Sequence, residues 1–148
     1  MIILDTNVIS EILKHSHSDS HVIDWFIGVG RNEAYTTAVN TAELLYGLAL
    51  VPEGRRRFAL SRSINDFIEQ YRDFTLPFDV RATPHYASIT AARRQAGRPI
   101  GVQDAMIAAI ARSHGAAVAT RNVRDFDGTG VTVVNPWDAA GREASTSA

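Results

Sequence analysis

Short apolar runs alternate with longer amphipathic segments along almost the whole chain, and this alternation constrains the fold more than any other feature of the sequence. The short runs predict strands at residues 2–4, 34–36, 75–78, 117–119 and 131–134. The longer segments predict a helix that ends at residue 50 and helices over residues 6–14, 20–29, 54–74, 82–96 and 102–114. Strands separated by helices form parallel sheets that are covered on both faces. The sequence therefore predicts a three-layer α/β/α sandwich with a central parallel β-sheet.

Length and composition are typical of a single globular domain. A chain of 148 residues is long enough to bury a sizeable core. The absence of cysteine excludes a disulfide scaffold, a thiolate zinc site, an iron–sulfur cluster and a cysteine nucleophile. We predict one domain over residues 1–140 and a loose tail over residues 141–148, which are small and polar.

Neither the N-terminus nor any apolar stretch predicts a secreted or membrane protein. The first residues contain no basic leader, and the longest apolar stretch, residues 44–51, is too short to span a bilayer. We therefore expect a cytoplasmic protein without a membrane partner. Because the formal net charge is only −1, any polyanionic partner would have to be bound by a local basic patch.

Several acidic and amide residues follow the predicted strands. In open α/β sheets, ligands bind at the carboxyl ends of the strands, where the next helices begin. Asp5 directly follows the first strand, Glu43 lies about one turn after the second, and Asp104 opens the helix over residues 102–114. Asn122 and Asp125 follow the strand over residues 117–119. We expect these side chains to lie at or near one edge of the sheet.

Each of these acids also has a purely structural interpretation. Asp5 could cap the first helix, and Asn40 with Glu43 has the spacing of a capping box. Asp104 in a first turn would complement the helix dipole. For any one acid alone, the structural interpretation is favoured.

The helices that carry Glu43 and Asp104 are apolar almost all round, which favours a metal site instead. Such helices are buried, so their carboxylates are nearly buried as well. Buried charges need a counter-charge or a metal ion, and the arginines fall mainly on other segments. A set of ligands made only of oxygen atoms indicates Mg²⁺ or Mn²⁺ rather than zinc.

Four motifs in this order resemble those of the PIN-domain nucleases, and closely those of the VapC-type toxins of bacterial toxin–antitoxin pairs. They are Ile3-Leu4-Asp5-Thr6-Asn7, Ala42-Glu43-Leu44 with Gly47, Gln103-Asp104-Ala105, and Ala119-Thr120-Arg121-Asn122 with Asp125-Phe126. The resemblance extends over nearly the whole chain. It implies a parallel sheet between helices and a ribonuclease that needs Mg²⁺, with Mn²⁺ as a substitute, to cleave RNA phosphodiester bonds.

The same resemblance implies roles for individual residues. Asp5, Glu43 and Asp104 would be the metal-binding acids. The family often has a fourth acid where this chain has Asn122, so either Asp125 supplies the missing carboxylate or Asn122 binds the metal or water as a neutral ligand. Supporting polar groups would come from Thr6, Asn7 and Thr120.

Basic residues and partners complete the predictions. Arg112 and Arg121 lie on or beside the acid-bearing segments, so we expect them to hold RNA near the site. The resemblance further implies a homodimer and a cognate antitoxin, a small DNA-binding protein, that binds a groove formed by the first helices.

Two other functions compete with the nuclease. Because Asn122 replaces an acid, the chain could be a catalytically weak PIN-fold binding module that acts through partner or nucleic-acid contacts. A phosphatase of the haloacid dehalogenase kind would need an aspartate where Asn7 stands.

Overall fold

Six strands form the central sheet of the structure, a computed structural model that describes residues 1–138 and the backbone of residues 143–146. The strands are β1 (Ile2–Leu4), β2 (Ala34–Thr37), β3 (Thr75–Leu76), β4 (Ala117–Ala119), β5 (Thr132–Val134) and β6 (Glu143–Thr146). Their order across the sheet is β3-β2-β1-β4-β5-β6. The first five strands in this order pair in parallel, and β6 pairs with β5 in the antiparallel direction. The predicted parallel sheet is confirmed.

In the described part of the chain, six α-helices connect and cover the strands. They are α1 (Thr6–Ile12), α2 (Ser20–Val29), α3 (Ala38–Ala49), α4 (Arg55–Gln70), α5 (Thr83–Gln95) and α6 (Val102–His114). Each coincides with a predicted helix, and the differences lie at the ends. The largest is at α4, where the regular helix stops at Gln70 and residues 72–74 form a short 3-10 turn.

Two apolar cores, one on each face of the sheet, hold these layers together. Neighbouring residues of a strand point to opposite faces, so Ile3 packs in the core under α5 and α6, whereas Leu4 packs in the core under α1, α2 and α4. The residues of α6 from Ile107 to Ala111 are fully buried. This confirms the predicted three-layer sandwich and the burial of the helix that carries Asp104.

The end of the chain differs from the prediction where it can be compared. Within the predicted loose tail, residues 143–146 form β6, which pairs with β5 around Val133. These residues lack an apolar alternation, so the sequence carried no signal of a strand that is held by backbone hydrogen bonds to its neighbour. Residues 141, 142, 147 and 148 of the predicted tail lie outside the described residues. Among the helices of the described part, none is long and apolar enough to cross a bilayer.

Candidate active site

The central strand β1 places Asp5 at the middle of the candidate site. β1 lies between β2 and β4, and because these strands are parallel, their carboxyl ends meet at one edge of the sheet. Asp5 follows β1 directly and is the N-cap residue of α1. The structural interpretation of Asp5 as a cap is therefore correct, and it does not exclude a second role, because the side chain has further partners.

The carboxylate of Asp5 is buried, and each of its two oxygen atoms accepts two hydrogen bonds. Oδ1 accepts from the backbone N of Thr6 at 2.8 Å and from Nδ2 of Asn40 at 3.0 Å. Oδ2 accepts from Oγ1 of Thr120 at 2.7 Å and from Nδ2 of Asn7 at 3.4 Å. Burial raises the pKa of Asp5 above its usual value, and the hydrogen bonds from Thr120, Thr6 and Asn40 oppose that rise because they favour the charged form. The four donors therefore fix the carboxylate in place and satisfy it.

A small polar network surrounds Asp5 and matches the predicted supporting residues. The Thr120 hydroxyl is fully buried and accepts from Nδ2 of Asn7 and from the backbone N of Asn122, both at 3.1 Å. The Asn7 side chain in turn accepts from the backbone N of Arg121 at 3.1 Å. These contacts tie the start of α1 to the residues that follow β4.

Asn40 is a central member of this network, and its predicted role as a helix cap is wrong. Thr37 caps α3, because its side chain accepts a hydrogen bond from the backbone N of Asn40. The buried Asn40 amide instead donates to Asp5 and to Oγ1 of Thr6, the latter at 3.1 Å. The capping motif in the sequence starts three residues before Asn40, which leaves this side chain free to orient Asp5.

Glu43 lies one helical turn beyond Asn40 and carries an unsatisfied atom. Its Oε1 atom is buried and has no hydrogen-bond partner among the described residues. Burial raises the pKa of Glu43, the nearby charge of Asp5 raises it further, and a hydrogen bond with Thr6 lowers it. A buried oxygen of this kind is destabilising unless a ligand or water satisfies it.

Asp104 lies in the first turn of α6 and has the most perturbed carboxyl of the site. Burial is the largest cause, and the charges of Asp5, Asp125 and Glu43 add to it, so the pKa of Asp104 rises to about 6. Only acids that lie near one another repel in this way. The structure therefore brings the four predicted acids together electrostatically, although they come from four separate segments.

Of the two candidates for the fourth acidic position, Asp125 is the one that interacts with the other acids. Asp125 lies in a 3-10 turn, Val123–Phe126, and its charge raises the pKa of both Asp5 and Asp104. Asn122 immediately precedes this turn and makes no capping hydrogen bond. Both side chains are exposed, so they differ in that only Asp125 carries a charge that acts on the other acids.

The donor set fits a hard divalent cation in its chemistry. It consists of carboxylate oxygens that repel one another, and it includes the unpartnered Oε1 of Glu43. Across residues 1–138, however, no three Asp, Glu or His side chains already stand close enough to hold one ion. Binding of an ion would therefore have to draw these carboxylates closer together.

The two predicted RNA-binding arginines are placed at different ends of the molecule. Arg121 follows β4 at the acidic edge, and its exposed guanidinium lies 5.0 Å from the centre of the Trp137 ring. Arg112 lies in the last turn of α6, where it donates to the carbonyl of Thr129 at 3.3 Å. Eight residues of helix, about 12 Å, separate Arg112 from Asp104, and Arg112 borders a cavity at the amino ends of the strands. The structure does not bring Arg112 to the acids.

One buried cation near the site was not predicted. Arg93 on α5 is only 7% exposed, and its charge lowers the pKa of Asp104 against the other causes. In the sequence, Arg93 stands beside the exposed Arg94 on an amphipathic helix, and nothing in that pattern distinguishes one from the other.

The comparisons with known proteins agree with this fold and site. The family model described as "PIN domain" matches residues 2–130. A VapC ribonuclease, Y4jK of Sinorhizobium fredii, is 38% identical over 95% of this chain and 100% of its own length. The toxin FitB of Neisseria gonorrhoeae is 36% identical over 93% of this chain and 99% of its own.

A solved structure supports the same relationship. The crystal structure of FitAcB from Neisseria gonorrhoeae superposes with a TM-score of 0.86 at 34% identity and covers 93% of this chain and 99% of the other. The match in sequence and in fold extends through all four segments that supply the acids. The chain therefore belongs to the PIN-domain family, among relatives that include VapC ribonucleases.

Proposed function

We propose that this protein is a metal-dependent endoribonuclease that cleaves RNA phosphodiester bonds and acts as the toxin of a toxin–antitoxin pair. One observation carries the proposal: Asp5, Glu43 and Asp104 come from distant segments to the carboxyl edge of a parallel sheet, where burial raises the pKa of each and the charge of Asp5 adds to the rise at the other two. The charge of Asp125 adds to the rise at Asp5 and at Asp104. The similarity to proteins named as a VapC ribonuclease and as the toxin FitB supports it. We further propose that the protein acts in the cytoplasm, because RNA is abundant in that compartment.

The acids would hold Mg²⁺, with Mn²⁺ as a substitute. Asp5 and Asp104 are proposed as the essential ligands, and Glu43, whose Oε1 has no partner, as the third. When bound, the ion supplies charge neutralisation at the phosphate and lowers the pKa of the attacking water. The Mg²⁺ and Mn²⁺ assignment follows from a donor set of carboxylate oxygens.

The chain's own polar residues would orient this arrangement. Thr120, Asn7 and Asn40 donate to Asp5 and hold it in one orientation. Asp125 is proposed as the fourth carboxylate, in a position to orient the attacking water, because its charge acts on both Asp5 and Asp104. Asn122 is then not required as a ligand. Arg121 is proposed to contact an RNA phosphate beside the acids, because its guanidinium is exposed at their edge of the sheet.

A groove between α1, α2 and α4 supports the proposal of an antitoxin partner. It encloses about 500 Å³ and combines an apolar floor, made by Phe26, Phe67 and Tyr71, with the polar side chains of Arg62 and Asp66. A mixed lining of this kind suits a segment of another protein. We propose that the cognate antitoxin, a small DNA-binding protein, binds here.

Exposed apolar side chains on α3 support the proposal of a homodimer. Tyr46 is 62% exposed, and Leu50, which follows the helix, is 68% exposed. Large apolar side chains that stand together on a surface are typical of association sites. A second copy of this chain is the proposed partner of this surface.

Cleavage of RNA by the purified protein tests the proposal. We expect cleavage that stops in EDTA and returns with Mg²⁺ or Mn²⁺, and that Asp104→Asn removes. Asp73→Asn is the matched control, because Asp73 is exposed and distant from the site. Cleavage that persists in EDTA, or in Asp104→Asn, would contradict the assignment. Binding of RNA without any metal-restored cleavage would favour the alternative of a catalytically weak binding module.

A further inference from the structure

Arg93 is a buried cation without a carboxylate partner. The side chain lies near the end of α5 and is 7% exposed. No aspartate or glutamate lies within ion-pair distance of it in the part of the chain that the structure describes. A buried guanidinium is destabilising unless its donors are satisfied and its charge is offset.

Its hydrogen bonds all go to backbone carbonyls, and two of these belong to the segment that carries Asp125. Nη1 donates to the carbonyl oxygens of Asp125 and Asp127, both at 2.9 Å. Nε donates to the carbonyl oxygen of Arg98 at 2.7 Å. One guanidinium therefore joins the loop after α5 to the 3-10 turn Val123–Phe126.

A second side-chain contact within the described residues joins the loop after α5 to this segment. The ion pair between Arg98 and Asp127, at 3.3 Å, is exposed on both partners, and such pairs contribute little. The buried guanidinium thus links α5 to the turn through two hydrogen bonds to backbone carbonyls.

We infer that Arg93 is a positioning residue, which holds the turn so that the Asp125 carboxylate faces Asp5 and Asp104. This inference rests on the proposed function, because it assigns Arg93 to the metal site through Asp125. The charge of Arg93 also acts on Asp104 and lowers the pKa of that acid, so the guanidinium interacts with the acidic edge without direct contact. Residues that orient metal ligands in this way typically change metal affinity by about 10- to 100-fold when they are removed.

Mn²⁺ binding to the full-length protein tests this role, measured by the electron paramagnetic resonance signal of free Mn²⁺. Arg93→Gln is expected to weaken binding by about 10- to 100-fold. Arg93→Lys keeps the charge but loses the planar fork, so an intermediate loss is expected. Arg94→Gln is the matched control on the same helix, where the side chain is exposed, and should bind as the wild type does. Thermal melts followed by circular dichroism establish the temperature at which all variants are folded.

A double-mutant cycle with Asp125→Asn separates positioning from general stabilisation. If Arg93 acts through Asp125, Arg93→Gln should weaken binding no further once Asp125→Asn is present. Fully additive losses would overturn the inference, and so would unchanged binding by a folded Arg93→Gln variant. Should Arg93→Gln not fold, wild-type affinity in Arg93→Lys would overturn it as well. A wild-type protein that binds no Mn²⁺ would overturn the proposed function and the inference together, which distinguishes that failure from a failure of Arg93 alone.

Discussion

Replacement of Asp104 by asparagine should stabilise the metal-free protein at neutral pH. Folding raises the pKa of this carboxyl from 3.8 to about 6, so the folded state disfavours the charged form. Ionisation of Asp104 therefore destabilises the folded state. This loss of stability is absent below the unfolded pKa, grows as the pH rises from about 4 to about 6, and is complete above that range. Asparagine has the same shape and carries no charge, so it avoids this penalty.

The magnitude follows from the size of the shift. A change of about two pH units corresponds to about 3 kcal/mol at 1.36 kcal/mol per unit. Asp104 is only partly buried, so solvent screening reduces this to about 1–2 kcal/mol. For a domain of this length, about 1 kcal/mol moves the melting temperature by about 2–4 °C. We therefore expect Asp104→Asn to melt about 3–6 °C above the wild type at about pH 7.5, since the ionised acid is then fully penalised.

The assay is thermal unfolding in EDTA at two pH values, with Asp73→Asn as the control variant. At about pH 4.5 the difference between Asp104→Asn and the wild type should shrink to a third or so, because most of the wild-type carboxyl is then protonated in the folded state. Excess Mn²⁺ at neutral pH should reverse the order, since it stabilises only a protein that binds it. An Asp104→Asn variant that melts below the wild type in EDTA would refute the electrostatic reasoning. So would a difference in melting temperature that is the same at both pH values.

Three further predictions concern single contacts. Thr120→Val removes the donor to Oδ2 of Asp5, so urea unfolding should show a loss of about 1.5–3 kcal/mol; Thr120→Ser, which keeps the hydroxyl, should lose clearly less, and equal losses would contradict the contact. Ala59→Arg places a large side chain in the groove beside α1, so it should prevent co-purification with the co-expressed cognate antitoxin, while RNA cleavage persists. Retained co-purification would exclude this groove as the antitoxin site. Tyr46→Asp adds a charge to the exposed face of α3, so analytical ultracentrifugation should show a monomer where the wild type is a dimer. An unchanged oligomeric state would exclude this face as the dimer interface.

Much of the fold could be predicted because each signal was local. The strand Ile2–Leu4 and the helix Val102–His114 carry apolar patterns that have only one interpretation at their lengths. The predicted helix after the second strand was also correct, but its cap was not, because Thr37 and Asn40 are both good capping residues and only the extended backbone of Thr37 decides between them. The strand of residues 143–146 depends on pairing with β5, which is a long-range contact without a local signal.

The candidate site was predictable where strand ends determine position. Asp5 and Glu43 follow from the rule that ligands gather at the carboxyl edge of a parallel sheet. Asp104 follows no strand, because α6 comes directly after α5, and its prediction depended on the apolar pattern of its helix. The fourth acid could not be decided, because Asn122 and Asp125 are three residues apart and only the turn between them shows which one interacts with the other acids. The burial of Arg93 depends on the rotation of α5 about its axis, and the distance of Arg112 from the acids depends on the length of α6. Amino-acid composition predicts neither.

The hydrogen bond between Thr120 and Asp5 joins residues that are 115 positions apart in the chain. Asp5 leaves the ribosome early, but Thr120, one of the four donors that orient it, is translated only after most of the chain. A nascent chain that ends before β4 therefore lacks both this contact and the Asp125 carboxylate of the proposed active site. A cell that makes this protein is exposed to its activity only once synthesis has passed β4, which gives a partner made at the same time an interval in which to meet it.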